Sequence, residues 1–344
     1  MQSSAGRAAM LDEVRRDQPA GLGAGAPLSR IAGPVQALAL VAGELKQAEV
    51  HLHDLVHSDV AEVPMISRYL IGSGGKRLRP ALTALGARAC GLDTDVSRLM
   101  CVGELIHLGS LLHDDVVDGA DMRRGRDAAH RVHGSAVTIL TGDFCLARAV
   151  QLAAEDGGHT VVTQLSRAVT EMAEGEVLQL KRSGDLDCSL EDYLDVIDRK
   201  SAALIAWCVS AGALAKGDES AARALAAYGR AVGRAFQVTD DVLDYAEGTG
   251  KTSGADIRER KVTLPLLYAM RADKGLRGEL DTVPSDDQTQ ALMQRVRDTG
   301  ALERALVRAR DWVDAGVGQL KVIPPSVHRE ALEELAHYLV ERAK

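Results

Sequence analysis

The sequence contains the stretch LHDDVVD at residues 112–118, and the related stretch VTDDVLD follows at residues 238–244. In each stretch, two adjacent aspartates are followed three positions later by a third. On a helix, the first and last aspartate stand above one another on one face, because four residues make slightly more than one turn. Like charges at this spacing destabilise a helix unless a cation is bound. Each stretch therefore predicts a metal-binding helix face.

The aspartates offer only oxygen ligands, which suit a hard cation. Magnesium in particular uses one or two carboxylates together with phosphate oxygens rather than a closed cage of protein ligands. Two such faces, opposed across a cavity, would hold a diphosphate group between them through bridging Mg²⁺. The alternative for either stretch alone is a solvated acidic helix end. Apolar neighbours such as Leu111, Val116, Phe236 and Val242 argue against that alternative, because neither stretch lies in a generally acidic surface.

The composition is that of a globular protein with enough apolar residues for a large core. The chain has 344 residues, of which 46% are hydrophobic, and a formal net charge of -8. This acidic balance, without a basic stripe, excludes nucleic acid as an expected partner. Only 3% of the residues are aromatic, whereas alanine and leucine are frequent, which favours helices over strands. We therefore predict an all-α fold.

Cysteine usage and targeting features favour the cytoplasm. The five cysteines are scattered and form no C-x-x-C pair, which fits a reducing compartment. The N-terminus lacks the basic and apolar segments of a signal peptide. The most apolar run, residues 202–215, ends at Lys216 and is too short to span a bilayer. We therefore expect a cytoplasmic protein without a transmembrane segment.

Two parts of the chain differ in their pattern. Residues 1–33 are rich in alanine, glycine and serine without a sustained period, and we interpret them as a flexible tail. Residues 34–344 show helical periodicity with short breaks and no clear linker, so we predict one domain. Long helices are expected over residues 95–118, 135–154, 160–180 and 219–246, with a loop at 157–158 and helix starts at Ser189 and Asp218.

A glycine-rich turn at residues 72–80, GSGGKRLRP, delivers three cations within four residues. Glycines let the backbone approach an anion closely, and a following helix N-terminus adds its own dipole. Lys76 and Arg79 share a helix face, whereas Arg77 points elsewhere. The turn therefore predicts an anion site, and the alternative is an ordinary solvated basic turn.

Further polar residues accompany the first aspartate stretch. His107 lies two turns before Asp114 on the same face, although a lone histidine on an apolar helix is more often a core residue. Arg123 and Arg124 have diverging side chains and can address two different anions. Lys251 lies in a glycine-containing loop without the glycine spacing or the preceding strand of a nucleotide P-loop, yet it can still contact phosphate.

Taken in order, these residues resemble the motifs of the trans-isoprenyl (polyprenyl) diphosphate synthases, and among them the long-chain members. The resemblance spans about residues 60 to 270 and rests on GGKRLRP at 74–80, His107, DDVVD at 114–118, RRG at 123–125, GD at 142–143, GE at 175–176, Lys200, FQVTDDVLD at 236–244 and the loop 251–261. It implies a bundle of antiparallel helices around a deep central cavity and a homodimer. It also implies two substrates, isopentenyl diphosphate and an allylic diphosphate.

The resemblance further implies a role for each matching residue. The direct ligands of Mg²⁺, with three ions per active site, would be Asp114, Asp118 and Asp240. The aspartates acting through water or an outer layer of contacts would be Asp115, Asp241 and Asp244. The diphosphate of isopentenyl diphosphate would be held by Lys76, Arg79, His107 and Arg124. The allylic diphosphate would be held by Arg123, Lys200, Gln237, Lys251 and Lys261. Ser201 stands where the family commonly has threonine, and it keeps the hydroxyl group.

The implied reaction is ionisation of the allylic diphosphate, followed by attack of the isopentenyl double bond on the carbocation. No side-chain nucleophile is needed, in agreement with the lack of any Cys-His or Ser-His arrangement. One rival is a class I terpene cyclase, which usually carries an Asn-Ser-Glu type second motif. Another is a non-catalytic partner subunit, which would be expected to lose metal or phosphate ligands. The complete set of aspartates and cations argues against both.

Product length depends on the space beyond the first aspartate stretch. The growing chain is expected to pass, along the same helix, Ser110, Gly109, Ile106 and Val102. Neither Ser110 nor Gly109 is bulky, and the opposing helix offers as a floor only Leu146 and Val150. We therefore predict a product of about C30 to C50, such as a quinone side-chain precursor, released at the membrane surface. Phenylalanine at Gly109 or Ser110 is expected to shorten it to about C15–C20 without abolishing activity. The alternative is a geranylgeranyl or farnesyl diphosphate synthase.

Overall fold

A computed structural model gives the structure of residues 31, 33–72, 77–123, 125–246 and 254–342. As predicted, the fold is all-α. The α-helices are α1 (Pro34–Ala39), α2 (Ala42–Leu55), α3 (Glu62–Ile71), α4 (Leu78–Ala89), α5 (Ser97–Val117), α6 (Ala129–His133), α7 (Ser135–Leu152), α8 (Gly158–Arg182), α9 (Leu190–Ile197), α10 (Ala203–Lys216), α11 (Glu219–Leu243), α12 (Ala255–Arg258), α13 (Leu264–Ala272), α14 (Gly275–Glu279), α15 (Asp286–Asp298), α16 (Ala301–Gln319) and α17 (Val327–Glu341). The predicted tail lies outside the described residues except for Ile31, which is buried, and Gly33.

Short irregular elements join some of these helices. A hairpin of β1 (Met122–Arg123) and β2 (Arg126–Asp127) follows α5, and its antiparallel strands pair Met122 with Asp127 and Arg123 with Arg126. Two π-helical segments, Ala153–Gly157 and Asp198–Ala202, precede α8 and α10, and a 3₁₀ turn, Leu320–Val322, follows α16. A π-helix often marks a functional position in a helical protein. The second of these segments contains Lys200 and Ser201.

The helix starts predicted at Ser189 and Asp218 are confirmed, and each has a side-chain cap. The Ser189 hydroxyl accepts a hydrogen bond from the backbone N–H of Asp192 at 3.1 Å, and the Asp192 carboxylate accepts one from the N–H of Ser189 at 3.0 Å. This reciprocal pair is a capping box. The Asp218 carboxylate accepts a bond from the N–H of Ala221 at 3.0 Å. Local side-chain chemistry therefore fixes where α9 and α11 begin.

The prediction of a loop at residues 157–158 is wrong. Helical hydrogen bonding continues through the π-helical segment Ala153–Gly157, and Gly158 then changes the chain direction with a φ of 78°. Only glycine adopts such a φ without steric cost, so a single residue replaces the expected loop. The glycine pair was a correct signal for a turn, but its neighbours stay helical.

The core brings the two aspartate-bearing helices, α5 and α11, into one bundle. Helix α5 packs against α2, α4 and α7, whereas α11 packs against α10 and α16, and α10 also contacts α4 and α5. Leu105, Ile106 and Leu112 of α5 are fully buried. Helices α4 and α10 cross very closely, because a Cβ atom on Gly86 would lie 1.9 Å from the carbonyl oxygen of Val209. The apolar run that ends at Lys216 is thus a core helix, as expected.

One helical stretch of the described chain is long and apolar enough to cross a membrane. It covers residues 135–182, and 39% of its most apolar window is buried inside the protein. Core helices of globular proteins pass the same test of length and composition, so the stretch alone does not indicate a membrane span.

Candidate active site

Both aspartate stretches lie at the C-terminal ends of long helices. Asp118 and Asp244 are the residues that directly follow α5 and α11, and neither helix has a basic residue in its last turn. The C-terminal end of a helix carries partial negative charge, so carboxylates there are unfavourable. Two helices therefore gather negative charge where their own dipoles oppose it. Such an arrangement calls for cations from elsewhere.

In the first stretch, Asp114 faces groups from other helices as well as its own. Burial raises the pKa of Asp114 to about 6; Lys200 and Arg123 oppose this rise, while Glu176 and Asp118 add to it. The carboxylate is therefore crowded by other negative groups, and a bound cation would stabilise its charged form. Asp114, Glu176 and Lys200 together show that α5, α8 and the second π-helical segment meet at this site.

Asp115 points away from Asp114 into the protein. Its carboxylate is fully buried, and one oxygen, Oδ1, accepts hydrogen bonds from Arg123 Nε at 2.6 Å and Nη2 at 2.5 Å. The other oxygen, Oδ2, is buried and has no hydrogen-bond partner within the described part of the chain. The structure thus places Arg123 on Asp115, next to the site, where it joins the β-hairpin to α5.

In the second stretch, Asp241 belongs to a buried hydrogen-bond network. It accepts bonds from the Tyr193 hydroxyl at 2.6 Å and from Gln237 Nε2 at 2.9 Å, and Gln237 Oε1 accepts one from the Ser201 hydroxyl at 2.7 Å. Burial raises the pKa of Asp241, although the Tyr193 and Gln237 hydrogen bonds oppose the rise. The network connects α9, α11 and the second π-helical segment. Gln237 and Ser201 therefore contact each other as predicted site neighbours.

The outer two aspartates of the second stretch have different partners. Asp244 accepts hydrogen bonds from the backbone N–H groups of Ala255 at 3.3 Å and Asp256 at 3.0 Å, so it caps the short helix α12. Asp240 forms an ion pair with Arg342, whose Nη2 lies 2.6 Å from Oδ1. Arg342 also lies over the ring of Phe236, with 4.6 Å from its Cζ to the ring centroid. The guanidinium of Arg342, which directly follows α17, thus pairs with one of the predicted metal ligands.

Lys261 links the two stretches electrostatically. Burial lowers its pKa, but Glu259, Asp118 and Asp256 outweigh burial and raise it. Asp256 is almost fully buried, and its pKa is raised by burial and by the charges of Asp241 and Asp244. Lys261 therefore lies near Asp118, at the end of the first stretch, and near Asp256, which neighbours the second stretch. The second stretch and Lys261 border one cavity, whose lining includes Lys200, Ser201, Gln237, Asp241, Asp256 and Lys261.

Lys200 reaches this cavity because α8 and the second π-helical segment touch at a glycine. A Cβ atom on Gly175 would lie 2.6 Å from the backbone nitrogen of Lys200 and 3.0 Å from its Cα. The Lys200 ammonium forms an ion pair with Glu176, the next residue of α8, and the Glu176 Oε1 atom is buried without a partner among the described residues. The GE motif therefore supplies close packing from its glycine and a counter-charge from its glutamate.

The predicted phosphate-binding cations are partly described. Arg79 lies in the first turn of α4, and its Nε is buried without a hydrogen-bond partner inside the described ranges, as expected of a donor that waits for an anion. His107 lies on α5, and its backbone carbonyl accepts a bond from the Ser110 hydroxyl at 2.9 Å. Three predicted ligands, Lys76, Arg124 and Lys251, lie outside the described residues.

The donor set at this site fits Mg²⁺. Within the described ranges, no three or more His, Cys, Asp or Glu side chains lie close enough together to hold a metal ion by themselves. Magnesium does not require such a cage, because one or two carboxylates and phosphate oxygens suffice. The predicted ligands come from two helices. Asp114 lies on α5 and Asp118 directly follows it, whereas Asp240 lies on α11. The crowded carboxylate of Asp114 and the Oε1 atom of Glu176, which is buried without a partner among the described residues, also favour a cation.

Three contributors to the site were not identified from the sequence. Tyr193 and Asp256 are near Asp241, and Arg342 lies on Asp240. A buried tyrosine carries no positional signal, and Arg342 is 102 residues from its partner in sequence. Asp256 stands five residues before Lys261 in the loop already identified as a phosphate-binding segment, so that loop was the one available signal.

The expected path for a growing product needs two corrections. A Cβ atom on Gly109 would lie 2.9 Å from the carbonyl oxygen of Gly142 and 3.1 Å from Leu146 Cδ2, so Gly109 faces α7 at a close helix contact. The expectation that phenylalanine is tolerated at Gly109 is therefore wrong. Val150 is 38% exposed and does not close a path inside this chain. Ser110 remains the position at which a larger side chain can be added.

The chain is similar to known proteins over most of its length. A sequence model of the polyprenyl synthetase family matches residues 60–298. Octaprenyl diphosphate synthase of Escherichia coli (strain K12) is 37% identical over 313 residues, which cover 88% of this chain and 97% of that protein. A crystal structure of polyprenyl synthase from Caulobacter crescentus CB15, complexed with calcium and isoprenyl diphosphate, has a TM-score of 0.85 and 40% identity, covering 92% of this chain and 100% of that chain. A decaprenyl diphosphate synthase from Rhodobacter capsulatus has a TM-score of 0.84 and 35% identity, covering 90% and 99%. The chain therefore belongs to the polyprenyl synthetase family and has its all-α isoprenoid synthase fold.

Proposed function

We propose that this chain is a trans-polyprenyl diphosphate synthase, which joins isopentenyl diphosphate to an allylic diphosphate. The observation that carries the proposal is the position of two lysines. Lys200 interacts electrostatically with Asp114, and Lys261 interacts with Asp118 and Asp256. Both lysines line one cavity together with Asp241 of the second stretch, so cations from two further segments are shared between the two stretches. Opposed carboxylates with cations between them suit a ligand that brings both metal ions and phosphate oxygens.

The reaction begins when the allylic C–O bond breaks and its electron pair leaves with the diphosphate. Lys200 and Lys261 hold that diphosphate and stabilise the charge that develops on it. Mg²⁺ held by Asp114, Asp118 and Asp240, three ions in all, supplies further positive charge to the leaving group when bound. The isopentenyl double bond attacks the allylic carbon, and the released diphosphate takes the proton that is lost.

The remaining predicted residues divide between the two substrates. Arg79 and His107, with Lys76 and Arg124, hold isopentenyl diphosphate. The Nε of Arg79, which is buried and has no partner within the described part of the chain, supports this assignment. The allylic diphosphate is bound in addition by Arg123, Gln237, Ser201 and Lys251. The contacts of Arg123 with Asp115 and of Gln237 with Asp241 support a role in orienting these aspartates.

The product is a long chain of about C30 to C50, as in a quinone side-chain precursor. The names of the relatives above, octaprenyl and decaprenyl diphosphate synthase, support this length. The small side chain at Ser110 supports it as well, because nothing bulky stands there beside the first aspartate stretch. We place residues 34–344 in one domain, in the cytoplasm, with product release at the membrane surface.

The chain functions as a homodimer through α7 and α8. Leu140 of α7 is 65% exposed and Val177 of α8 is 64% exposed, and Ile139 and Leu180 add further apolar surface. A contiguous apolar surface on a globular protein marks an interaction site, and exposed apolar side chains on two successive helices support such a surface here. Leu140→Glu is expected to convert a dimer into a monomer in light scattering after size exclusion. A wild-type chain that is monomeric at micromolar concentration would contradict the dimer.

The test of the function uses the purified chain alone. It is incubated with farnesyl diphosphate, radiolabelled isopentenyl diphosphate and Mg²⁺, and the dephosphorylated products are separated by chromatography. We expect labelled prenyl alcohols of about C30 to C50. Hydrocarbons formed without use of isopentenyl diphosphate would favour a terpene cyclase. Products that form only after a second protein is added would favour a non-catalytic partner subunit.

A further inference from the structure

Arg77 is the third cation of the glycine-rich turn, and the active-site assignment gives it no role. Its guanidinium binds Glu49 of α2 in bidentate fashion, with 2.7 Å from Nε to Oε2 and 2.8 Å from Nη2 to Oε1. Its Nη1 donates a hydrogen bond to Glu104 of α5 at 2.7 Å. The Arg77 and Glu104 side chains are only 18% and 12% exposed. Arg77 therefore forms a clasp between two carboxylates, of which that of Glu104 is largely buried and that of Glu49 is 42% exposed.

The same guanidinium also contacts the end of α3. Nη2 of Arg77 also donates a hydrogen bond to the carbonyl oxygen of Ile71, the last residue of α3, at 3.1 Å. The backbone of Arg77 has a φ of 47°, which is unusual for a residue other than glycine. Such a conformation persists only where surrounding contacts determine it, and it is frequent at functional sites. The clasp supplies these contacts from α2, α3 and α5.

The clasp connects the segments that carry the isopentenyl diphosphate ligands. Arg79 is two residues after Arg77, in the first turn of α4. His107 is three residues after Glu104 on α5, so the two side chains are neighbours on that helix. The Arg77–Glu104 bond thus ties the start of α4 to the part of α5 that carries His107. A shift of either segment would change the distance between Arg79 and His107.

We propose that Arg77 is a positioning residue that sets the spacing of Arg79 and His107 for isopentenyl diphosphate, through its clasp with Glu49 and Glu104. The inference rests on the proposed function, because that function makes Arg79 and His107 ligands of this substrate. Arg77 does not touch the substrate, since all three nitrogens of its guanidinium are already engaged by Glu49, Glu104 and Ile71.

The first test is Arg77→Lys. Lysine keeps the charge, but a single ammonium cannot reproduce a bidentate bond and two further contacts in fixed directions. We expect the KM for isopentenyl diphosphate to rise by about tenfold, while the KM for the allylic diphosphate and kcat at saturation change by less than about threefold. Glu104→Gln, which weakens only one arm of the clasp, is expected to give a smaller rise in the same KM.

The matched control is Arg88→Lys. Arg88 lies at the other end of α4 and also binds a carboxylate of α2, with 3.2 Å from its Nε to Glu44 Oε1. Its side chain is similarly buried, at 15% exposure. Loss of this bond is expected to lower the thermal unfolding temperature about as much as Arg77→Lys does. It is expected to leave both KM values near those of the wild type, since Arg88 is far from the turn.

Kinetics and thermal unfolding are measured on each full-length variant. A folded Arg77→Lys variant whose KM for isopentenyl diphosphate stays within about twofold of the wild type would overturn the inference. An equal rise of both KM values would also overturn it. If Arg77→Lys does not fold, Glu104→Gln decides by the same criteria. A wild type that transfers no isopentenyl unit would overturn the proposed function and this inference together, whereas an active wild type with an unchanged variant would overturn this inference alone.

Discussion

Asp114 is the residue at which catalytic chemistry most clearly opposes stability. Its ordinary pKa of 3.8 is raised to about 6 in the metal-free protein, chiefly by burial. The folded protein therefore binds this proton more tightly than the unfolded chain does. Its stability falls as pH rises from about 4 to about 6, and the loss persists above that range. The carboxylate destabilises the fold at neutral pH by about 3 kcal/mol.

We predict that Asp114→Asn stabilises the metal-free protein and abolishes turnover. In urea unfolding with EDTA at pH 8, the variant should gain up to about 3 kcal/mol, and the gain should shrink at pH 4.5. Turnover should fall by several powers of ten, because a metal ligand that stabilises the transition state is lost. The control is Asp121→Asn, at an exposed position in the loop after α5. This variant should change neither the free energy of unfolding nor turnover. Near-normal turnover in Asp114→Asn would contradict the metal assignment.

The pair of Arg342 and Asp240 yields a second prediction. The Arg342 guanidinium occupies a carboxylate that we assign to Mg²⁺, so the ion must displace it. In Arg342→Ala, the Mg²⁺ concentration for half-maximal activity should fall by about threefold to tenfold, because the competing cation is absent. A magnesium titration at fixed substrate concentration measures this. Arg329→Ala, which removes an ion pair at the start of the same helix, is the control. A higher magnesium requirement in Arg342→Ala would show that Arg342 assists metal binding.

Single residues were predictable from the sequence where a local spacing carried the chemistry. The aspartate spacing predicted Asp114 and Asp240 for the metal site, and the GGKRLRP turn predicted Arg79 for an anion site. The partners of these residues were not predictable, because Arg342 meets Asp240 and Tyr193 meets Asp241 only through the fold. Arg77 was predicted to point away from its neighbours, but its clasp with Glu49 and Glu104 involves helices whose placement no local pattern specifies.

At the scale of elements, the contact of α8 with the second π-helical segment determines where Lys200 lies. We predict that Gly175→Ala destabilises the protein by about 1 to 3 kcal/mol, because its methyl group would meet the backbone of Lys200. The displaced lysine should raise the KM for the allylic diphosphate more than that for isopentenyl diphosphate. Urea unfolding and steady-state kinetics measure both effects.

A matched control for this variant is Gly318→Ala in α16. Among the described residues, no atom outside its own stretch of helix lies within 4 Å of a Cβ atom built on Gly318, so only helix propensity changes. Alanine is favoured over glycine in a helix by about 1 kcal/mol, and this variant should therefore be slightly more stable than the wild type. If Gly175→Ala behaved like Gly318→Ala, close packing at Gly175 would not be what places Lys200.

Helix starts were predictable because capping is local, as Ser189 and Asp218 demonstrate. The π-helical segments were not predictable. The sequence left open whether the helix that begins at Ser189 continues or kinks into the apolar run 202–215, and the extra residue in the turn at 198–202 becomes visible only where Lys200 packs against Gly175. An irregular turn of this kind is selected by tertiary contacts and has no strong propensity of its own.

For the whole molecule, the all-α class followed from composition and periodicity, whereas the internal space did not. The sequence placed Gly109 and Ser110 side by side on α5 as equal candidates for limiting the product. Consecutive residues of a helix point about 100° apart, so the two cannot face the same neighbour. Gly109 faces α7. The difference depends on the rotation of α5 within the bundle, which the apolar pattern of a fully buried helix leaves open.

This rotation determines the last prediction. Ser110 is only partly buried, and its hydroxyl bonds to the carbonyl of His107 on its own helix, so a larger side chain there need not enter the contact between α5 and α7. Ser110→Phe should stay folded and active but release a product of about C15 to C20, whereas Ser110→Ala should keep the wild-type length. Gly109→Phe should unfold at lower temperature, because its ring would be forced against Gly142 and Leu146. Chromatography of the dephosphorylated products and thermal unfolding distinguish these outcomes. A full-length product from folded Ser110→Phe would mean that the growing chain leaves the active site along another helix.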